Sequence, residues 1–244
     1  MKTDWSTIMA LVLVPGFMVD KDLWADFEQG MEEFGPIIHA DLTQDNSIAA
    51  MARRIIADAP LRFVIMGFSM GGYVAREVAR LAPDRVRALV LVATSSRGDT
   101  TEQIERKAVA INLSSQQPFK GLSGRAIRES LDPTRTSDSH LINRIRNMGV
   151  RLGSEVFLRQ SSLVRESDVE RLSGIHCPTL IVAGQNDLIR SLDEARELND
   201  RIPNSTLQVV PLSGHMIPME QPFPLADLVR LWLIKELEAP DRNL

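Results

Sequence analysis

A serine with glycines two positions before and two positions after it, in Gly67-Phe68-Ser69-Met70-Gly71-Gly72, is the group in this chain best suited to nucleophilic chemistry. Its setting gives the pattern weight. Leu61, Phe63, Val64, Ile65 and Met66 precede it as a short, bulky apolar stretch that suits a strand buried on both faces. Val74, Ala75, Val78, Ala79 and Ala82 follow it at helical spacing until Pro83 ends the pattern. A serine at such a strand-to-helix corner sits on a strained turn, with its hydroxyl pushed outward and the next backbone N–H exposed. Gly67 and Gly71 are then expected as steric necessities, because side chains there would collide across the bend.

A hydroxyl is a poor nucleophile at neutral pH, so it needs a base, and the base needs a group to orient it. Asp187 ends Gly184-Gln185-Asn186-Asp187 after a strand-like run at 179–183, and His215 ends Ser213-Gly214-His215 after another at 206–210. In a parallel sheet these loops leave the carboxyl edge, the edge from which Ser69 would project, so three distant positions converge. His39 falls inside a strand pattern, His140 starts a helix and His176 lies in a linker, so none competes with His215 as the base. A helix cap before 191–202 is the competing role for Asp187. Asp193 and Asp200 read as the solvated face of that helix.

The elements that must hold these groups are legible as alternating runs. Residues 8–14, 36–41, 61–66 and 86–93 read as strands, with helical segments at 20–34 and 47–59 between them. Strands too apolar to face water imply a parallel sheet covered on both sides, with right-handed crossovers. Between 97 and 173 the strand-like runs stop and short helical pieces follow one another, at 102–113, 124–131, 139–152 and 155–163. The β-α pattern resumes with strands at 179–183 and 206–210 and helices at 192–202 and 223–237. The expected division is therefore a core from 1–96 and 174–244 and a helical insertion over 97–173; the end from 239 to 244 is expected to fray.

Composition sets bounds on partners. With 44% hydrophobic and 25% charged residues, the 244-residue chain reads as a folded soluble protein with one substantial core. A net charge of -4 gives no electrostatic reason to expect nucleic acid or an anionic membrane. The single cysteine, Cys177, excludes an intramolecular disulfide and a thiolate metal cluster, and it reads as a packing residue. The run at 8–14 is too short for a secretory signal and has no A-x-A site, and no stretch approaches the roughly 20 residues that span a bilayer, so a cytoplasmic location without membrane partners is expected.

The order serine, aspartate, histidine, with GFSMGG as a nucleophile elbow, GQND as an acid loop and SGHMIPMEQP as a histidine loop, resembles the α/β-hydrolase superfamily over essentially the whole chain. The insertion at 97–173 resembles that family's helical cap. The resemblance implies acyl transfer to Ser69, with His215 as general base and then acid, and Asp187 fixing the imidazole tautomer. It also implies an oxyanion hole from the backbone nitrogens of Met70 and Phe17, although Pro15-Gly16 stands where the family commonly has His-Gly. With about seven residues before the first strand, the two antiparallel strands that often open this fold are expected to be absent, leaving a mostly parallel sheet of about six strands. Glu220 resembles a family position that supports the histidine loop and is read as structural.

Met18, Phe68 and Met216 flank the site and, with Phe17, read equally as substrate pocket and as packing; for Trp24 packing is the better reading. The insertion is net basic and the remainder net acidic, which raises electrostatic steering of an anionic substrate by Arg125, Arg128 and Arg151 against the simpler reading of solvated helix faces. The function these residues suggest is hydrolysis of a small carboxylic ester or lactone, with no metal or organic cofactor. Carbon-carbon bond hydrolases, thioesterases, acyltransferases, cofactor-free perhydrolases and a ligand-binding receptor resemble the same pattern. Haloalkane dehalogenases and epoxide hydrolases of this fold carry aspartate at the elbow, which Ser69 disfavours. Oligomeric state has no signature in the sequence.

Overall fold

The computed structural model describes residues 9–116 and 118–238. Six strands, β1 (Ala10–Val14), β2 (Ile37–His39), β3 (Phe63–Phe68), β4 (Val86–Val92), β5 (Thr179–Gly184) and β6 (Ser205–Val210), form one sheet in the order β2-β1-β3-β4-β5-β6. Every neighbouring pair is parallel. The four inner strands are buried almost throughout, whereas β6 at the edge runs through half-buried and exposed positions to a buried Val210. That contrast follows from helices covering both faces of the inner strands.

Alternation along the strands divides the core in two. Leu11, Leu13, Val64 and Met66 point to one face, against Trp24, Phe27, Leu225 and Val229. Val12, Val14, Phe63 and Ile65 point to the other, against Met51, Ile55, Val74 and Leu198. Helices α1 (Ala25–Glu28), α2 (Ile48–Asp58) and α3 (Met70–Leu81) alternate with the first strands. Between β4 and β5 lie α4 (Thr101–Gln116), α5 (Gly124–Glu129) and α6 (Ser139–Ser161), with no strand among the described residues. The chain closes with α7 (Leu192–Arg201), α8 (Ile217–Glu220) and α9 (Pro222–Glu238). Ser191 and Glu194 form a reciprocal capping box at the start of α7.

Several boundaries differ from the sequence reading. β3 begins at Phe63 because Leu61 is 79% exposed. Residue 8, expected in the first strand, and the expected frayed end at 239–244 lie outside the described residues. The helix expected over 20–34 is a 3-10 turn at Lys21–Trp24 followed by the short α1. Its apolar spacing still buries Leu23, Trp24, Phe27 and Met31. α1 ends at Glu28, and two residues on the chain passes close to α9: a Cβ at Gly30 would come within 2.6 Å of the Ala226 Cβ. Helices expected at 139–152 and 155–163 are the two limbs of α6, broken at Gly153 with φ 79° and ψ 178°, a conformation that favours glycine.

The insertion is tied down at its roots. Asp99 accepts from Lys107 and Arg165, and its own N–H donates to the Arg165 carbonyl, joining the two ends of the insert. Arg76 and Arg80 of α3 both pair with Asp168. Burial opposes ionisation of Asp168, yet the two guanidiniums hold its carboxyl below the usual range. No described helix is long and apolar enough to cross a membrane.

Candidate active site

The turn after β3 is as tight as the sequence requires. Ser69 has φ 51° and ψ -112°, a conformation that costs on the order of 1–3 kcal/mol in a non-glycine residue. A Cβ at Gly67 would lie 2.4 Å from the Gly71 carbonyl oxygen, across the bend. A Cβ at Gly71 would meet the carbonyl oxygens of Val14 and Pro15 at 2.4 Å. The second glycine is therefore needed because the loop after β1 presses on the helix, a closer cause than the bend alone. Ser69 N–H donates to the Val92 carbonyl, and the Thr94 hydroxyl donates to the Ser69 carbonyl, so the corner is pinned to β4 and its following loop.

The three groups singled out in the sequence meet at the carboxyl edge. Ser69 Oγ lies 2.9 Å from His215 Nε2, and His215 Nδ1 lies 2.8 Å from Asp187 Oδ2. A carboxylate only accepts, so Nδ1 carries the proton and Nε2 is left to accept from the serine hydroxyl. The other Asp187 oxygen accepts from the backbone N–H groups of Ile189 and Arg190 at 2.8 and 2.9 Å, which fixes the carboxylate plane. The Asp187 side chain is fully buried and the imidazole nearly so. Phe68 packs 5.1 Å from the His215 ring between centroids and holds its tilt.

The histidine loop is held from beneath by Glu220, as the sequence reading expected, and by groups of the insertion that it did not identify. His215 N–H donates to the Ser130 carbonyl at 2.8 Å, and the Glu220 carboxylate accepts from the N–H groups of Gly214 and Asp132 at 2.9 and 2.6 Å. Burial raises the Glu220 carboxyl to about 7, against the lowering effect of these two bonds. Asp132 accepts from Asn186 beside the acid and from Thr134. Burial opposes its charge, but these bonds hold its carboxyl below the usual range. Glu220 thus has the structural setting expected of it, while Ser130 and Asp132 come from the insertion, where no motif marked them.

The loop after β1 lies against the serine: a Cβ at Gly16 would be 3.3 Å from the Ser69 Cβ. Among the described residues the Phe17 N–H has no acceptor. The Met70 N–H opens α3, where no intrahelical acceptor exists. Met18 is fully buried against Val156 and Phe157 of α6, and Phe68 and Met216 are buried in the main core with Trp24. Trp24 meets Phe27 and Phe68 edge to face, as a packing residue does.

The rival histidines lie elsewhere. His39 pairs with Glu28 at 3.2 Å on the edge strand β2, His140 is exposed in α6, and His176 is exposed before β5. Arg125 and Arg151, considered for steering, pair with Glu129 and Asp20 at 2.7 and 2.8 Å. Burial pushes the Cys177 thiol up to about 11, which makes it inert at neutral pH.

A family profile described as alpha/beta hydrolase fold matches residues 44–222. Pimeloyl-[acyl-carrier protein] methyl ester esterase of Chromobacterium violaceum is 28% identical over 189 residues, spanning 71% of this chain and 72% of that protein. A thermophilic esterase from Thermogutta terrifontis, solved with malate bound, superimposes with a TM-score of 0.79 at 27% identity over 93% of this chain and 90% of that one. The enol-lactonase from Burkholderia xenovorans LB400 shares the fold, with a TM-score of 0.81 at 18% identity over 93% and 92% of the two chains. Sheet order, site geometry and these likenesses together make the chain a member of the α/β-hydrolase family, and a hydrolase within it.

Proposed function

We propose that the protein is a serine hydrolase that cleaves a small carboxylic ester or lactone through an acyl-enzyme, beneath a cap formed by residues 97–173. The observation that carries this reading is the continuous chain of contacts from Ser69 Oγ through the His215 ring to Asp187, at 2.9 and 2.8 Å. Ser69 Oγ attacks the carbonyl carbon as its proton passes to His215 Nε2, and Asp187 stabilises the imidazolium. The same Nε2–H protonates the departing alkoxide. Water then repeats the sequence on the acyl-enzyme, releasing the acid and restoring the serine. In a lactone the leaving alkoxide stays tethered to the acyl group, so one hydroxy acid is released.

The oxyanion formed in each half-reaction is assigned to the Phe17 and Met70 N–H groups, which flank Ser69 and have no competing acceptor among the described residues. Met18, Phe68 and Met216 contribute the apolar wall behind them. Ester chemistry is the activity named for the Chromobacterium and Thermogutta relatives, which supports the substrate class.

Hydrolysis of p-nitrophenyl acetate, together with labelling by a fluorophosphonate, tests the proposal. Turnover that disappears in Ser69→Ala is expected. A natively folded protein that is inert in both assays contradicts it and favours a ligand-binding role.

A further inference from the structure

Met18 is held in a conformation that its own residue type resists. Its φ is 53°, in the left-handed region that costs a non-glycine residue on the order of 1–2 kcal/mol, and the side chain is fully buried. Something outside the loop must hold it there. Its N–H donates to Gln160 Oε1 at 2.9 Å, and Gln160 Nε2 donates to the Leu42 carbonyl at 3.2 Å. Gln160 is 3% exposed, so one buried amide, acceptor on one side and donor on the other, satisfies two loops after two different strands.

The same end of α6 makes two further contacts with these loops. Phe157 lies 5.9 Å from the Phe17 ring, one turn before Gln160, and Arg159 donates to the Thr43 carbonyl. The break at Gly153 redirects the helix so that this limb reaches the carboxyl edge. On its other side, the loop is held by Gly16, where a Cβ would come within 2.8 Å of the Phe68 ring.

We infer that Gln160 is a positioning residue for the reaction: by holding the Met18 N–H it fixes the peptide between Phe17 and Met18, and through the Phe17 backbone it restrains the preceding peptide, whose Phe17 N–H is assigned to the oxyanion. The inference rests on the hydrolase reading above. Gln160 touches no reacting atom; it acts through the peptide next to the one that carries the Phe17 N–H. The insertion thereby helps to complete the oxyanion hole as well as covering the site.

The test compares Gln160→Met and Gln160→Glu with the wild type, using p-nitrophenyl acetate and phenylboronic acid. Boronic acid forms a tetrahedral adduct on serine and so reads the oxyanion hole directly. Gln160→Met keeps the volume but leaves the Met18 N–H unpaired. Its kcat is expected to fall roughly 10- to 100-fold, short of the 10²–10³ lost with a whole oxyanion donor. Boronate affinity should fall with it, while KM stays within about threefold, because misplacement is felt mainly in the transition state. Gln160→Glu keeps the acceptor but sets a second oxygen against the Leu42 carbonyl until it is protonated. Its kcat relative to wild type should therefore rise as pH falls from 8 to 5.5.

A folded Gln160→Met with wild-type kcat, or with a loss confined to KM, overturns the inference. Should that variant not fold, a Gln160→Glu ratio that is flat with pH overturns it equally. A wild type that neither turns over ester nor binds boronate overturns the hydrolase reading and this inference together, whereas an active wild type with an unimpaired Gln160→Met overturns this inference alone.

Discussion

The loops at the carboxyl edge of the sheet and the helical insertion above them both reach the site, but they do so with different kinds of group. The edge loops supply side chains: Ser69 after β3, Asp187 after β5 and His215 after β6, each within a few residues of a strand. The insertion supplies supports: the Ser130 carbonyl under His215, Asp132 against Asn186, and Gln160 behind Met18. Reacting groups on short loops inherit the rigidity of parallel strands, whereas supports can come from any segment that packs nearby. Chemistry should therefore be lost in steps of several powers of ten at the edge, and tuned by smaller factors from above.

The largest effect is expected at Ser69, the proposed nucleophile. Ser69→Ala should lower kcat/KM by about 10⁴-fold or more with thermal stability nearly unchanged, measured by ester hydrolysis and thermal melts. Asp187→Asn should cost about 10³–10⁴-fold, because an amide facing Nδ1 favours the wrong imidazole tautomer. A loss below tenfold would break the comparison by making the edge loops no more critical than the supports.

Gly71→Ala sharpens it from the structural side. The added methyl would meet two backbone carbonyls at 2.4 Å, so a loss of roughly 1–3 kcal/mol in denaturant unfolding is expected, with activity falling as the loop carrying Phe17 moves. Wild-type stability would mean that the loop after β1 does not press on the helix.

Glu220 gives a pH test of the supports. Its folded pKa, about 7, lies above the ordinary 4.5. Stability from its protonated form is thus fully present below about 4.5 and is lost as pH rises through 7, by an amount on the order of 3 kcal/mol. Glu220→Gln cannot ionise, so its stability relative to wild type should rise across that interval in urea titrations at several pH values. A constant difference would show that the carboxyl is not destabilised by burial. The smallest effect is expected on the outer face of the insertion, where Arg125 and Arg151 are already paired. Replacing Arg125, Arg128 and Arg151 together with alanine should change KM for acidic and neutral esters by equal factors. A selective loss for the acidic ester would restore electrostatic steering.

What could be read before the fold was known divides along the same line. The inner strands announce themselves because residues buried on both faces must be apolar, and the elbow because only glycine fits at 67 and 71. The triad follows from both, since parallel strands put their following loops on one edge. The break at Gly153 was also legible, as a gap between two helical registers. The short α1 was not, because apolar spacing records which residues are buried and says nothing of where the backbone leaves the helix, here after Glu28. Ser130 and Gln160 were invisible for a similar reason: one acts through its backbone carbonyl and the other binds backbone 142 residues away. Neither contact requires a local pattern.

The most direct test of the central claim is covalent. A fluorophosphonate should form one adduct per chain, found by peptide mass spectrometry on the peptide carrying Ser69 and abolished when His215 is replaced by alanine. An adduct on another residue, or ester turnover that continues after Ser69 is fully blocked, would contradict the assignment of Ser69 as the nucleophile.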